Sequence, residues 1–423
     1  MMKNATTRFG MPILPAFRSR NYRLFFIGQG ISLIGSWMTQ IATIWLVYHL
    51  TNSPLLLGFV GFASQIPSFV LSPFGGVFVD RFSRHRILIG TQILSMIESL
   101  ALAVLALSGV IQIWHIIVLS LFQGLITAFD SPARQAFVTE MVEKKEDLAN
   151  AIAINSTMFN GARLIGPAVG GLLIASVGAA YCFLIDGLSY IAVIAALLAM
   201  RIKPKTINIT TQNPLQRIKE GFVYAFGFPP IRAILLLLAL VSLMGMQYTV
   251  LVPIFAEKIL HGGPETLGFL MAASGVGALA GGTYLATRKS ILGIGKLIAL
   301  APGILGTGLI ALSLSRALPL SLLTMLLVGF GTILQIAASN TFLQTIVDDD
   351  KRGRVMSIYT MAFLGMIPFG NLLGGALADR IGAPNTLIIA GSACILGSAV
   401  FAQQLPNLRR LVHPLYTRLG ITP

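Results

Sequence analysis

Three ionisable residues lie inside long apolar stretches of the sequence: Glu98, Arg163 and Asp186. A charged side chain in a bilayer is costly, so each of the three is a candidate functional residue. A carboxyl group that is protonated in one conformation and ionised in another can carry a proton across a transport cycle. We predict proton coupling through Glu98 or Asp186, with Arg163 binding an acid or an anionic substrate. The alternative is a structural role, in which the acids pair with Arg163 or stay neutral and hydrogen-bonded.

A short turn, GGVFVDRFSRHR at residues 75–86, concentrates an acid and several basic side chains beside two glycines. Its glycines allow close helix approach, and its acid can pair with an arginine or face the positive N-terminus of a helix. The alternative is that the charged residues only set membrane orientation. That explanation fits Arg86, but it fits Asp80 less well, because acids contribute little to orientation. We predict a charged gate made of Gly76, Asp80, Arg81, Arg84, Asp130 and Arg134.

A second candidate gating segment contains a proline between glycines: Gly166, Pro167, Gly170 and Gly171. The proline removes a backbone hydrogen bond and the glycines permit close approach, so we predict a bent helix whose packing can change. Ordinary helix packing is the alternative. For two further glycine pairs, Gly277-x3-Gly281 and Gly370-x3-Gly374, ordinary packing is the better prediction.

Polar side chains recur at helical spacing along several apolar stretches, which places them on one face of each helix. Such faces can form a wet, hydrogen-bonding pathway for a substrate, and nearby aromatic rings can add apolar binding surface. The alternative is hydrogen bonding between helices. The predicted substrate cavity contains Gln29, Ser32, Ser36, Trp37, Gln40, Gln123, Thr127, Ser242, Gln247, Gln335 and Ser339.

Twelve apolar stretches are long enough to carry these residues through a membrane. The chain has 423 residues, of which 55% are apolar and 11% charged, and a soluble protein needs more surface charge. A membrane-spanning helix takes about 20 apolar residues, whereas barrel strands alternate over about ten. We predict an all-α membrane protein with twelve transmembrane helices, at 22–48, 54–79, 87–108, 112–133, 149–176, 180–200, 232–256, 265–287, 291–315, 317–343, 354–378 and 384–404.

The net charge of +15 is a topology signal. The chain ends and the even-to-odd loops hold 26 of the 30 lysines and arginines, while the opposite loops hold only Lys258, Arg316 and Arg380. This positive-inside bias predicts that both termini are cytoplasmic. Nucleic acid is therefore not needed to explain the basic composition, and lipid and a small molecule are the predicted partners.

The sequence repeats itself at an offset of about 210 residues. ISLIG at 31–35 matches VSLMG at 241–245, and LTNSPLLLGF at 50–59 matches LHGGPETLGF at 260–269. At an offset of 204, Gly170-Gly171 match Gly374-Gly375. Such parallel repeats support transport by rocking around a site at the bilayer midplane. We predict two six-helix bundles, 1–200 and 232–423 with a cytoplasmic tail, joined by a basic cytoplasmic linker at 201–231.

Three stretches resemble motifs of the major facilitator superfamily. The first is Gly76-x3-Asp80-Arg81-x2-Arg84-His85-Arg86, which is similar to the loop between helices 2 and 3. The second is DSPARQA at 130–136, and the third is RLIGPAVGG at 163–171, which resembles the antiporter motif. Ser83 and Ala162 stand where those motifs have glycine. The chain looks most like the bacterial exporter branch that includes macrolide efflux pumps and the enterobactin exporter.

The resemblance implies a role for each group of residues. Helices 1, 4, 7 and 10 would line a central cavity, the charged cluster would hold the two halves together on the cytoplasmic side, and the glycine-proline motif would seal the periplasmic side. Because helices 3 and 6 are peripheral in this superfamily, a structural role is favoured for Asp186.

The predicted function is secondary active export of small amphiphilic molecules, drug-like or siderophore-like, driven by protons. No GxxxxGK[ST] pattern is present to bind ATP, and no spacing of His, Cys or Asp predicts a metal site, a cofactor or an enzyme. We expect a monomer in the bacterial inner membrane. Two alternatives stay open: uptake of a nutrient or metal-chelator complex, and a non-transporting membrane sensor on the same fold.

Overall fold

The computed structural model describes residues 15–202, 214–288 and 290–418. Within these ranges twelve helices are long and apolar enough to cross a membrane, which confirms the predicted fold class. Numbered in chain order as spans 1 to 12, they are Arg20–Thr51, Pro54–Leu71, Arg84–Leu107, Ile113–Met141, Leu148–Val177, Ala179–Ala199, Pro229–Ile259, Pro264–Ala286, Ile294–Leu314, Leu318–Ile346, Lys351–Ile381 and Ala383–Thr417.

Spans 2 and 11 are each interrupted near the middle. The helix of span 2 stops at Ala63 and resumes as Ile66–Arg81, with a proline in the first turn of the second segment, where its missing N–H is tolerated. Span 11 consists of Asp349–Leu364 and Met366–Ile381. The Phe369 ring of span 11 lies 6.0 Å from the ring of Phe69 on span 2, so the two interruptions are neighbours.

Span 7 is the most irregular helix. Its α-helical segments, Pro229–Leu240 and Tyr248–Ile254, alternate with two π-helical turns, Val241–Gly245 and Phe255–Ile259. Turns of this kind are rare and often lie at functional sites. A further helix, Pro214–Gly227, precedes span 7 and packs against the first segment of span 11.

The spans pack into two groups of six. Span 1 packs along spans 5 and 6, and span 3 along spans 4 and 6; in the second group span 10 packs along spans 8 and 9, and span 9 along span 12. The seam between the groups is formed by span 2 against span 11 and by span 5 against span 8. Because the connected spans are even in number, both ends of the described chain lie on one face, here called the termini face. The opposite face is called the far face.

Large apolar side chains remain exposed along the spans. Ile27 is 64% exposed and Leu396 is 65% exposed, and similar side chains occur on nearly every span. A water-soluble monomer rarely exposes such extended apolar surface, so the outer surface of this bundle is suited to lipid.

Candidate functional site

Span 5 crosses span 8 at a pair of glycines near the far face. A Cβ atom added to Gly171 would lie 2.6 Å from the carbonyl oxygen of Pro264 and 2.9 Å from the Cα of Gly268. A Cβ added to Gly268 would lie 2.5 Å from the carbonyl oxygen of Pro167. Glycine allows backbones to approach this closely, so the two halves touch backbone to backbone here.

Span 2 crosses span 11 in the same way. A Cβ added to Gly375 would lie 2.5 Å from the carbonyl oxygen of Pro54 and 2.8 Å from the Cα of Gly58. In the repeat, Gly58 corresponds to Gly268, and Gly375 to Gly171. The far-face end of the seam therefore contains two equivalent contacts, Gly58–Gly375 and Gly171–Gly268, which we call the glycine crossings.

The other glycines of the predicted gating motif pack inside the first half. Gly166 faces Trp37 and the carbonyl oxygen of Ile34, and a Cβ on Gly170 would lie 3.1 Å from the Cα of Met38. Both positions thus join span 5 to span 1. Only Gly171 of this motif reaches across the seam, together with the carbonyl oxygen of Pro167.

Two further glycine pairs pack within the second half, as ordinary packing requires. Gly277 lies against Leu326 and Gly281 against Phe330 and Ile333 on span 10, while Gly370 and Gly374 lie against Leu243 and Gln247 on span 7.

The residues that sequence reasoning did not select are the crossing partners Gly58, Gly268 and Gly375. The internal repeat contains all three, so it was the signal that could have identified them.

The two predicted acids meet in the interior of the first half. Glu98 on span 3 is 6% exposed and Asp186 on span 6 is 2% exposed, and they are close enough to interact electrostatically. Ser99 donates a hydrogen bond of 3.0 Å to Asp186 Oδ2, and Ser36 donates one of 3.4 Å to Oδ1. Ser36 Oγ is also 3.3 Å from the hydroxyl of Tyr190. Within the described ranges the Glu98 carboxyl group has no hydrogen-bond partner.

The predicted third member of this site, Arg163, lies elsewhere. Its guanidinium group is 6.0 Å from the centroid of the Trp37 ring on span 1. Among the described ion pairs neither Glu98 nor Asp186 pairs with Arg163. The structural alternative based on such a pair is therefore not found in this conformation.

The charged cluster predicted as a gate is built within the first half. Asp130 is 5% exposed, pairs with Arg134, and accepts hydrogen bonds from Thr91 at 2.8 Å and Gln92 at 2.9 Å. Sequence reasoning did not anticipate the two polar side chains from span 3, because they lie on a different helix.

The remaining gate residues extend along the termini face. Arg84 pairs with Glu140 at 2.7 Å, and Arg81 is exposed. Gly76 and Asp80 belong to the helix of span 2, but their side chains lie outside the described part of the structure. Among the described pairs of this cluster, both partners belong to the first half, so in this conformation these pairs do not bridge the seam.

The predicted cavity residues divide into accessible and buried sets. Gln40 and Thr127 are exposed, and Ser36, Trp37 and Gln123 are partly exposed. The other six are buried among helices in this conformation, so their place in a cavity wall stays a prediction; they are Gln29, Ser32, Ser242, Gln247, Gln335 and Ser339.

One buried amide has an unusual environment. Gln247 is fully buried behind the first π-helical turn of span 7, and within the described ranges neither its nitrogen nor its oxygen has a partner. Ser242, inside that turn, donates a hydrogen bond to the carbonyl oxygen of Phe363 on span 11. Span 7 therefore holds an unsatisfied polar group beside the helix that forms the seam.

Comparison with known protein families gives one match over most of the chain. A family described as transmembrane secretion effector, within the major facilitator superfamily, matches residues 12–412. This agrees with the exporter branch that the sequence motifs resemble.

Curated relatives of similar length are transporters. The staphyloferrin A transporter of Staphylococcus aureus is 27% identical over 90% of this chain and 95% of its own. The multidrug efflux pump Tap of Mycolicibacterium fortuitum is 28% identical over 89% and 93%. Macrolide efflux protein A of Streptococcus pyogenes is 24% identical over 92% and 98%.

Solved structures share the fold at low sequence identity. A bacterial homologue of the human lysosomal transporter Spinster, in an inward-facing and unoccupied conformation, superposes with a TM-score of 0.70 at 14% identity, over 95% of this chain and 99% of that chain. The POT family transporter PepTSo gives a TM-score of 0.70 at 14% identity, over 94% and 99%. These similarities establish the architecture.

Proposed function

Because the chain belongs to the transmembrane secretion effector family of transporters, we propose that it exports small amphiphilic molecules across the bacterial inner membrane by alternating access. The names of its relatives support two substrate classes, macrolide-like drugs and siderophores. We expect a monomer to be sufficient, because one chain contains both halves of the fold.

The pair of glycine crossings is the observation that carries this proposal. Two backbone-to-backbone contacts, related by the internal repeat, close the seam at the far face. An equivalent pair of contacts can open together when the halves rock, as parallel repeats allow. We assign the far face to the periplasm, because the lysines and arginines concentrate at the termini face.

The path for substrate then opens towards the cytoplasm in this conformation. Polar side chains on span 4 become more exposed towards the termini face: Gln123 is partly exposed, and Thr127 and Ser131 are exposed. Gln40 on span 1 adds an exposed amide deeper in the bundle. These groups can form hydrogen bonds with the polar parts of a substrate. Ligand sites usually contain a small number of such polar groups among apolar ones.

The charged cluster on the termini face is proposed to act in the opposite conformation. When the halves close on the cytoplasmic side, Asp80, Arg81 and Arg84 would meet groups of the second half. Asp130 is buried and already pairs with the partly exposed Arg134. The cluster would thus act as the cytoplasmic gate, while the glycine crossings act as the periplasmic one.

Export against a gradient requires an energy source, which we propose to be the proton gradient. Glu98 and Asp186 are buried acids on adjacent spans, and ionisable groups at such depth commonly serve as proton relays in transporters. The hydroxyl groups around Asp186 can stabilise its charged form, whereas Glu98 has no such partner in the described part of the chain. The two acids therefore offer two different sites for one proton.

Everted membrane vesicles test this function and its alternatives. With an acidic interior, vesicles containing the protein should accumulate a labelled macrolide or labelled staphyloferrin A, and a protonophore should abolish the accumulation. Accumulation only in right-side-out vesicles would instead support uptake. No movement of either compound in either orientation would support a sensor and contradict the proposal.

A further inference from the structure

One short segment of span 1, Gly35–Met38, contacts both the acid pair and the glycine-proline motif of span 5. We propose that Ser36 is a positioning residue that transmits protonation of Asp186 to the periplasmic seal by bending span 1. This inference rests on the proposed proton coupling and adds to it the group that converts a proton into a movement.

On one side, the segment is fitted closely to Asp186. A Cβ on Gly35 would lie 2.7 Å from Asp186 Oδ1, 3.0 Å from its Cα and 3.1 Å from the Oγ of Ser189. Span 1 can therefore approach span 6 only because residue 35 is glycine. The close approach brings the next residue, Ser36, within hydrogen-bonding reach of the buried carboxylate.

The hydroxyl of Ser36 has one proton and faces three oxygen atoms that can accept it, one of which is the hydroxyl of Tyr190 at 3.3 Å. Asp186 Oδ1 lies 3.4 Å from Ser36 Oγ, and the carbonyl oxygen of Ser32, one turn earlier on the same helix, lies 3.1 Å away. A serine hydroxyl donates one hydrogen bond at a time. At any one time Ser36 therefore donates either to span 6, through the carboxylate of Asp186 or the hydroxyl of Tyr190, or to the backbone of span 1.

Protonation of Asp186 changes that choice. The proton binds a carboxylate oxygen, which removes the negative charge that attracts the hydroxyl of Ser36 and leaves the carboxyl group with a donor of its own. Ser36 then donates to the carbonyl oxygen of Ser32. A serine that bonds back to the carbonyl four residues earlier often bends its helix, so span 1 changes shape at this turn.

On the other side, the same turn of span 1 supports the seal. Trp37 lies against Gly166, and Met38 lies against Gly170. The next residue, Gly171, forms the crossing with Gly268 of span 8. A change in the shape of span 1 at residues 36–38 is thus passed to the helix face that borders the periplasmic seal.

Other charged and titratable groups surround this site. They come from spans 3, 4, 5 and 6, and each acts on the acids or their neighbours: Glu98, Arg134, Arg163, Cys182 and Tyr190. Ser36 is not titratable itself, but it lies on span 1 and its hydroxyl contacts Asp186 directly. It is therefore the residue to test.

Trp37 supplies a built-in reporter, since the chain has only three tryptophans. In a protein carrying Trp45→Phe and Trp114→Phe, the emission of Trp37 reports the span 1–span 5 contact. Infrared difference spectra, compared with those of Asp186→Asn, report protonation of the Asp186 carboxyl group in the same sample. We expect a pH-dependent emission shift in this parent, and its loss in Ser36→Ala while the infrared carboxyl change persists.

Matched variants separate the role of Ser36 from a general loss of packing. Ser36→Thr keeps the hydroxyl group and should keep the emission shift. Ser189→Ala removes another buried hydroxyl near Gly35, one that donates only to the carbonyl oxygen of Asp186 at 2.7 Å, and should also keep it. If Ser36→Ala does not fold, Ser36→Cys preserves the volume with a weak donor and should show the same loss.

A full emission shift in Ser36→Ala or Ser36→Cys would overturn the inference while leaving proton coupling intact. A parent protein whose carboxyl bands match those of Asp186→Asn across the pH range would contradict proton binding at Asp186, and the inference would be lost with it. The two failures are therefore distinguishable in one set of spectra.

Discussion

At the scale of residues, the two buried acids differ in their surroundings. Asp186 receives hydrogen bonds from Ser36 and Ser99, whereas Glu98 receives none within the described ranges. A buried carboxylate without partners carries a large desolvation cost. In the proposed coupling, Glu98 is the group that binds the transported proton, and Asp186 is the group whose charge state positions span 1.

Replacing Glu98 by glutamine should uncouple transport from the proton gradient. The glutamine side chain has nearly the same shape but cannot bind or release a proton, so we expect Glu98→Gln to lose proton-driven accumulation and to retain downhill flux. The measurement compares accumulation with substrate counterflow in proteoliposomes, and Glu146→Gln, at an exposed surface acid, serves as the control. Unchanged accumulation in Glu98→Gln would remove Glu98 from the coupling site.

Replacing Asp80 by asparagine should lower transport without lowering the amount of inserted protein. Acids contribute little to membrane orientation, so the change should affect the cytoplasmic gate and leave topology intact. The control is Arg86→Gln, at a cation whose predicted role is orientation alone, and it should keep transport. The transport rate is measured per amount of protein in the membrane. A rate in Asp80→Asn equal to that of the wild type would contradict the gate assignment.

The candidate acids could be predicted from the sequence, but their partners could not. A carboxyl group inside an apolar stretch can be identified from the sequence because its neighbours are apolar. The contact between Ser36 and Asp186 joins residues 150 positions apart, and it exists because Gly35 lets spans 1 and 6 approach. Only three-dimensional packing reveals that pairing. The same is true of Thr91 and Gln92, which satisfy Asp130 from another helix.

At the scale of helices, the glycine crossings should not tolerate a methyl group. Gly171→Ala or Gly375→Ala would place a Cβ against the opposing backbone, and overpacking of this kind costs about 1–3 kcal/mol. Because the clash exists only when the seam is closed at the far face, that cost shifts the equilibrium towards the open seam by a factor of about 5–150.

A buried cysteine can measure this shift. Leu57, beside the crossing of span 2, is almost fully buried, so Leu57→Cys should react slowly with a membrane-impermeant maleimide in intact cells and faster when Gly375→Ala is added. Gly353→Ala, on span 11 like Gly375, and Gly161→Ala, on span 5, serve as controls. In both variants the new Cβ has open space around it. Equal labelling rates in Gly375→Ala and Gly353→Ala would contradict the seal.

The existence of each helix followed from the sequence, but helix irregularities did not. Apolar length alone determines that 54–79 and 232–256 cross the membrane. The interruption after Ala63 in span 2 and the first π-helical turn of span 7 lie where these spans pack against span 11. Their causes are contacts between helices, such as Gly374 against Gln247, which no local pattern encodes.

At the scale of the whole molecule, the internal repeat explains why the seal is double. Gly58 and Gly268 belong to one repeated segment, and Gly171 and Gly375 belong to another. Assembling two similar halves face to face pairs each segment with the other across the seam. The sequence thus predicted the architecture, whereas the conformation, closed at the far face, depends on how the two halves rest against each other.

Paired distance measurements test the central claim, that the halves alternate between the two faces. Spin labels at Leu55 and Asp379 span the far face, and labels at Gln135 and Gln344 span the termini face; all four residues are exposed, and the native cysteines Cys182 and Cys394 are buried. On changing pH across the titration of the acid pair, we predict that one distance lengthens while the other shortens. Two distances that stay fixed, or that lengthen and shorten together, would contradict the account.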